Sequence, residues 1–154
     1  MKKFFFDCGT RDLTASLGIF FLRACTGLML MLGHGIPKLK GYEKLREQFK
    51  APSSLDGLIN GPIALILTIC AEVGAAGLIV VGLATRPAAF IVAFTMVIAA
   101  FDVHQTAPWF FGPGVTTAKE LALLYLIPAI MILLTGSGSI SLDASLCKEK
   151  RRRW

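Results

Sequence analysis

Residues 61–83 read GPIALILTICAEVGAAGLIVVGL, an apolar run of bilayer-spanning length with one carboxylate, Glu72, at its centre. A membrane-crossing helix needs roughly 20 predominantly apolar residues. A charge at mid-span costs about 2.5–3.5 kcal/mol on insertion scales, so such a side chain faces a helix partner, a polar cavity or a ligand. The preceding apolar run carries the opposite charge, Arg23, at its own middle. Two opposite charges at matching depth on neighbouring spans predict a buried Arg23–Glu72 pair.

Working outward, the segments 13–33, 85–101 and 118–135 are apolar on nearly every face, whereas a soluble helix keeps a polar stripe. Hydrophobic residues make up 55% of the 154-residue chain and charged residues 17%, and mean hydropathy is +0.66. The expected fold is therefore all-α: one integral membrane domain over 1–154, an antiparallel up-down four-helix bundle with spans near 13–33, 61–83, 85–101 and 118–135. Short connections such as Gly82 to Pro87 favour that arrangement. Gly33-His34-Gly35-Ile36-Pro37 reads as the exit of the first span, because Pro37 biases the residue before it away from helix. A short interfacial helix is expected over 41–49.

Charge placement sets the expected orientation. Lys2, Lys3, Arg11, Arg86, Lys148, Lys150, Arg151, Arg152 and Arg153 share one side, and Lys38, Lys40, Lys44, Arg46, Lys50 and Lys119 share the other. The richer side faces the cytoplasm, which predicts a multi-pass protein of the bacterial inner membrane with both termini cytoplasmic. The Met1-Lys2-Lys3 start is read as leading into an uncleaved first helix. The basic tail is explained by topology and headgroup contact, and nothing points to nucleic acid.

Cys8, Cys25, Cys70 and Cys147 form no C-x-x-C or zinc spacing. Cys25 and Cys70 are expected as small buried packing residues. No phosphate-cradling loop, heme-attachment motif or metal motif occurs. With four spans, one membrane face collects His34, Lys38, Asp102, His104, Lys119 and Glu120. His34, Lys38, Asp102, His104 and Glu120 are the expected ligand-binding residues, suited to a quinone carbonyl or a small anion. Glu72, Arg23 and Glu120 are the candidates for catalysis or proton relay. Each also has a plain structural use: an ion pair holding register, a lysine reaching the headgroups, a carboxylate at a helix start.

The chain resembles the DoxX family of small four-helix membrane proteins over most of its length. Arg23-Ala24 through Gly27-Leu28, then Gly33-His34-Gly35-Ile36-Pro37-Lys38-Leu39, is similar to the family's first-helix pattern. Glu72-Val73-Gly74-Ala75-Ala76-Gly77-Leu78, continuing to Gly82-Leu83-Ala84-Thr85-Arg86-Pro87-Ala88-Ala89, resembles the second-helix signature. Glu120 matches the acidic residue opening the fourth helix, and Gly136-Ser137-Gly138 with Ser141-Leu142-Asp143 resembles the ending. Ser137 and Ser139-Ile140 depart from its usual Gly-Pro-Gly-Arg-Tyr form.

The resemblance implies a membrane subunit or partner of a quinone-linked redox system, at most a quinone-linked oxidoreductase subunit as an enzyme, with quinone as the possible cofactor. Two other functions fit the same residues. One is a non-catalytic assembly or scaffold subunit, with Arg23–Glu72 purely structural. The other is a small-molecule or proton carrier. Expected partners are the lipid bilayer, redox-complex subunits and a second copy of the chain.

Overall fold

Asp12 opens the first helix by accepting a hydrogen bond from Ala15 N–H at 2.8 Å, the side-chain cap that a free helix start requires. The structure, a computed structural model, describes residues 12–146. The basic termini counted for orientation, together with Cys8 and Cys147, lie outside the described residues. Helix α1 runs Leu13–Lys40 and a helical turn, α2, covers Tyr42–Leu45. Helix α3 runs Gly61–Val81, α4 Thr85–Val103 and α5 Lys119–Thr135. The described residues are helical with no strand. Three of these helices, α1, α3 and α4, are long and apolar enough to cross a membrane. Helix α5 has 17 residues and rises roughly 26 Å.

The first helix departs from expectation. It does not stop near His34 but continues through Pro37 to Lys40. Proline lacks an N–H and crowds the carbonyl four residues back. Just ahead of it, Met31–Gly35 widens into a π turn, in which Ile36 N–H reaches Met31 O five residues back. The wider turn carries the chain past the proline without breaking the helix. The expected interfacial helix over 41–49 is reduced to the Tyr42–Leu45 turn.

Helix α1 packs on α3 and α5, and α4 packs on the same two. The interior is built from small side chains: Ala76, Ala89, Ala100 and Ala129 are buried beside Leu30, Ile79, Val92 and Ile132. The bulk points outward, with Phe21, Met29, Phe90, Phe94, Leu124 and Ile127 exposed. A water-soluble protein arranges these size classes the other way. Small residues inside let helices approach closely in lipid, and the outer girdle of large apolar groups suits acyl chains. Gly35 shows the approach directly, since a Cβ there would lie 2.8 Å from Glu72 O. Cys25 and Cys70, expected to be buried, are free and exposed; neighbouring helices meet through glycine and alanine faces instead.

The stretch after α5 folds back to lock one end of the assembly. Asp143 accepts from Ala84 N–H at 2.8 Å, Thr85 N–H at 3.0 Å and the Thr85 hydroxyl at 2.8 Å. It thereby caps α4, whose own sequence supplies no side-chain cap. Ser139 N–H donates to Ser16 Oγ at 3.1 Å, tying the same stretch to α1.

Candidate functional site

The Lys38–Glu72 ion pair anchors a cavity between the helices. Lys38 sits in the last turn of α1, which the π turn has carried past Pro37, and its Nζ lies 2.5 Å from Glu72 Oε1. The Glu72 side chain is 5% exposed and that of Lys38 29%. The Arg23–Glu72 pair expected from depth is therefore replaced. Arg23 meets the other end of α3, donating to Ile79 O at 2.9 Å and Val80 O at 2.8 Å, and also to Ile140 O. Seven residues of helix, roughly 10 Å, separate Ile79 from Glu72. The expected depth was counted from a first span ending near His34; the true helix is longer and its register against α3 differs.

The cavity encloses about 160 Å³. Its polar lining is His34, Lys38, Glu72, His104, Thr116, Thr117 and Tyr125, and its apolar walls include Leu30, Met96 and Phe111. The His34 ring stands edge-on to Tyr125, with centroids 5.5 Å apart and planes at 82°. Among the described residues there are three π segments, Met31–Gly35, Cys70–Ala75 and Ala99–Val103. Each contributes to the lining, through His34, Glu72 and Ala99 respectively. Such turns are rare and occur often at functional sites.

Of the sequence-predicted residues, His34, Lys38, His104 and Glu72 come together at this cavity. Arg23, Asp102 and Glu120 do not line it. Asp102 is occupied by the loop before α3, accepting from Ser53 N–H at 2.9 Å, Ser54 N–H at 2.7 Å and the Ser53 hydroxyl. Glu120 accepts from Phe111 N–H at 2.9 Å. In the same latch, Lys119 and Glu120 N–H donate to Pro108 and Trp109 carbonyls, and Lys119 Nζ lies 5.0 Å from the Trp109 ring. Glu120 thus holds the loop that brings Phe111, Thr116 and Thr117 to the cavity. Sequence reasoning missed Tyr125 and the two threonines. A tyrosine hydroxyl inside an apolar run seeks a polar partner, and that signal marks Tyr125. The threonines carry no comparable mark.

The first-helix exit and the glutamate of the second apolar run meet at one cavity, and the profile of the DoxX family matches residues 18–105. The chain belongs to the DoxX family. It is 30% identical over 132 residues to an uncharacterized protein of Haemophilus influenzae, covering 84% of this chain and 90% of that protein. It is 32% identical over 136 residues to a Bacillus subtilis protein named "Putative oxidoreductase CatD", covering 88% of this chain and 91% of that one. No solved structure matches the chain with statistical support. Family membership and the apolar helices together make it a DoxX-type multi-pass membrane protein.

Proposed function

We propose that this DoxX-family protein is a four-helix, up-down inner-membrane subunit or partner of a quinone-linked redox system, and that its cavity receives a quinone headgroup. Helices α1, α3, α4 and α5 are the spans in this reading. The heavier positive charge of the terminal side supports cytoplasmic termini and an outward-facing cavity.

The observation that carries the proposal is the Lys38–Glu72 pair at the wall of a ring-sized cavity. An apolar cavity of about 150 Å³ holds one benzene molecule, and this one is about 160 Å³. In this reading Lys38 donates to a ring oxygen and Glu72 holds Lys38 in position. His34, His104 and Tyr125 supply further polar contacts, and Leu30 and Met96 flank the ring. Mostly apolar walls with a few convergent polar groups are the usual make-up of a small-molecule site. The oxidoreductase name of the Bacillus subtilis relative points the same way.

Native mass spectrometry of the full chain, extracted in mild detergent, tests this. Wild type is expected to carry a bound quinone or quinol mass that Lys38→Met and His34→Leu lose while still reaching the membrane. Wild type without any such mass, extracted from quinone-replete membranes, would leave the assembly-subunit reading in its place.

A further inference from the structure

Glu72 has two carboxylate oxygens in different circumstances. Oε1 receives Lys38 at 2.5 Å. Oε2 is buried and has no hydrogen-bond partner among the described residues, on a residue only 4% exposed at the cavity wall. Buried polar atoms are nearly always hydrogen-bonded, and an exception calls for a physical reason. An ionised carboxylate only accepts, so Oε2 calls for a donor.

A quinone cannot supply one, because its ring oxygens are carbonyls and also only accept. A hydroxyl does both: it has one O–H donor and two lone pairs. Oε2 itself is closed off behind the cavity wall; a turn of the carboxylate about its last bond would bring it to the cavity, where one ring hydroxyl can donate to it while accepting from Lys38 Nζ, which keeps two further donors after serving Oε1. An ionised carboxylate ligand brings no donor, and a phosphate, even where it keeps one hydroxyl, sets a second anion beside Glu72.

We propose that Glu72 Oε2 is the specificity-determining acceptor of the cavity, and that it selects a single aromatic ring bearing a hydroxyl, a hydroquinone or other phenol, over a ring bearing only carbonyls. This rests on reading the cavity as a headgroup site and deepens it. Sites built to hydrogen-bond a ligand hydroxyl reject analogues that lack it, because the polar group is then left unpaired.

The test uses the full chain in lipid nanodiscs and equilibrium dialysis against duroquinol, duroquinone and the dimethyl ether of duroquinol. The four ring methyls prevent thiol addition at the exposed Cys25 and Cys70. Duroquinol is expected to bind on the order of 10- to 100-fold tighter than duroquinone or the ether. In the apolar double variant Lys38→Met, Glu72→Leu, that preference is expected to fall to about one. The wild-type comparison stands even where the variant fails to fold. A decyl-tailed quinol run alongside separates a membrane-borne donor, with the tailed form tighter, from a water-borne phenol, with the tail indifferent; both outcomes support the acceptor role. Duroquinone or the ether binding as tightly as duroquinol overturns this inference and leaves the headgroup reading standing. Binding of none of the three overturns both.

Discussion

Replacing Lys38 with methionine strands a carboxylate inside the helix assembly. Methionine keeps the length of the aliphatic stem, so the packing along α1 changes little. What goes is the 2.5 Å partner of Glu72, whose side chain is 5% exposed. Removing one member of a buried pair costs about 3–5 kcal/mol. Lys38 retains 29% exposure, which places the expected loss near the lower end, about 3 kcal/mol. That is roughly a 150-fold shift in the folding equilibrium. Removing both charges, as Lys38→Met with Glu72→Leu, eliminates the stranded ion, and apolar replacement of a whole buried pair is often neutral or stabilising. The assay is thermal unfolding in detergent, followed by tryptophan fluorescence and checked by denaturant titration. For a soluble domain of this size, 3 kcal/mol corresponds to roughly 6–12 °C, and a drop of that order is expected for the single variant, with most of it recovered in the double. A Lys38→Met protein that melts with wild type, or a double variant no better than the single, would refute the reasoning.

Arg23→Met removes donors from Ile79 O, Val80 O and Ile140 O and is expected to cost about 2–4 kcal/mol, because buried carbonyls lose charged hydrogen bonds. Combined with Glu72→Gln, the effects should add to within about 0.5 kcal/mol; a coupling energy well above 1 kcal/mol in the unfolding titration would reinstate a direct pair. Gly35→Ala drives a methyl to within 2.8 Å of Glu72 O and should destabilise by about 1–3 kcal/mol. Gly33→Ala, which meets nothing within 4 Å, should be neutral or slightly stabilising; equal melting shifts for the two would contradict the close approach. Asp143→Ala should lower stability by about 0.5–2 kcal/mol through loss of the α4 cap and raise amide exchange at Ala84 and Thr85; unchanged exchange there would count against the cap.

The membrane character was legible in residues 61–83 and 85–101, because apolarity on every face is a property of composition and survives any error of register. Register itself was not. Depth along α1 was counted on a span ending near His34, just ahead of Pro37, a residue that stops most helices, and the π turn there has no signature in the letters Met31 to Gly35. Continuing the helix through that turn brings Lys38 to Glu72, while the register of α1 against α3 sets Arg23 on Ile79 and Val80. Lys38 had a plain use as a headgroup lysine, and its pairing depends on a helix seven residues longer than the span expected to end at 33. His34 and His104 reached the cavity because topology alone sends span ends to a common face. Asp102 and Glu120 lie at that face too, but loop N–H groups lie within hydrogen-bond reach and take them. Chemical type identified these carboxylates as acceptors without saying for what.

The three π segments have a geometric consequence for how such a protein varies. An α-helix turns about 100° per residue, so one inserted residue rotates everything beyond it by that angle. In α1, α3 and α4 the segments Met31–Gly35, Cys70–Ala75 and Ala99–Val103 act as phase shifters between stem and tip. The stems keep their alanine faces matched while the tips are aimed independently. Winding the same residues Met31–Gly35 as ordinary α-helix would swing Lys38 about a quarter-turn away from Glu72, with Arg23 and Gly27 left in place. The orientation of the polar chemistry is thus separable from the packing that holds the helices together.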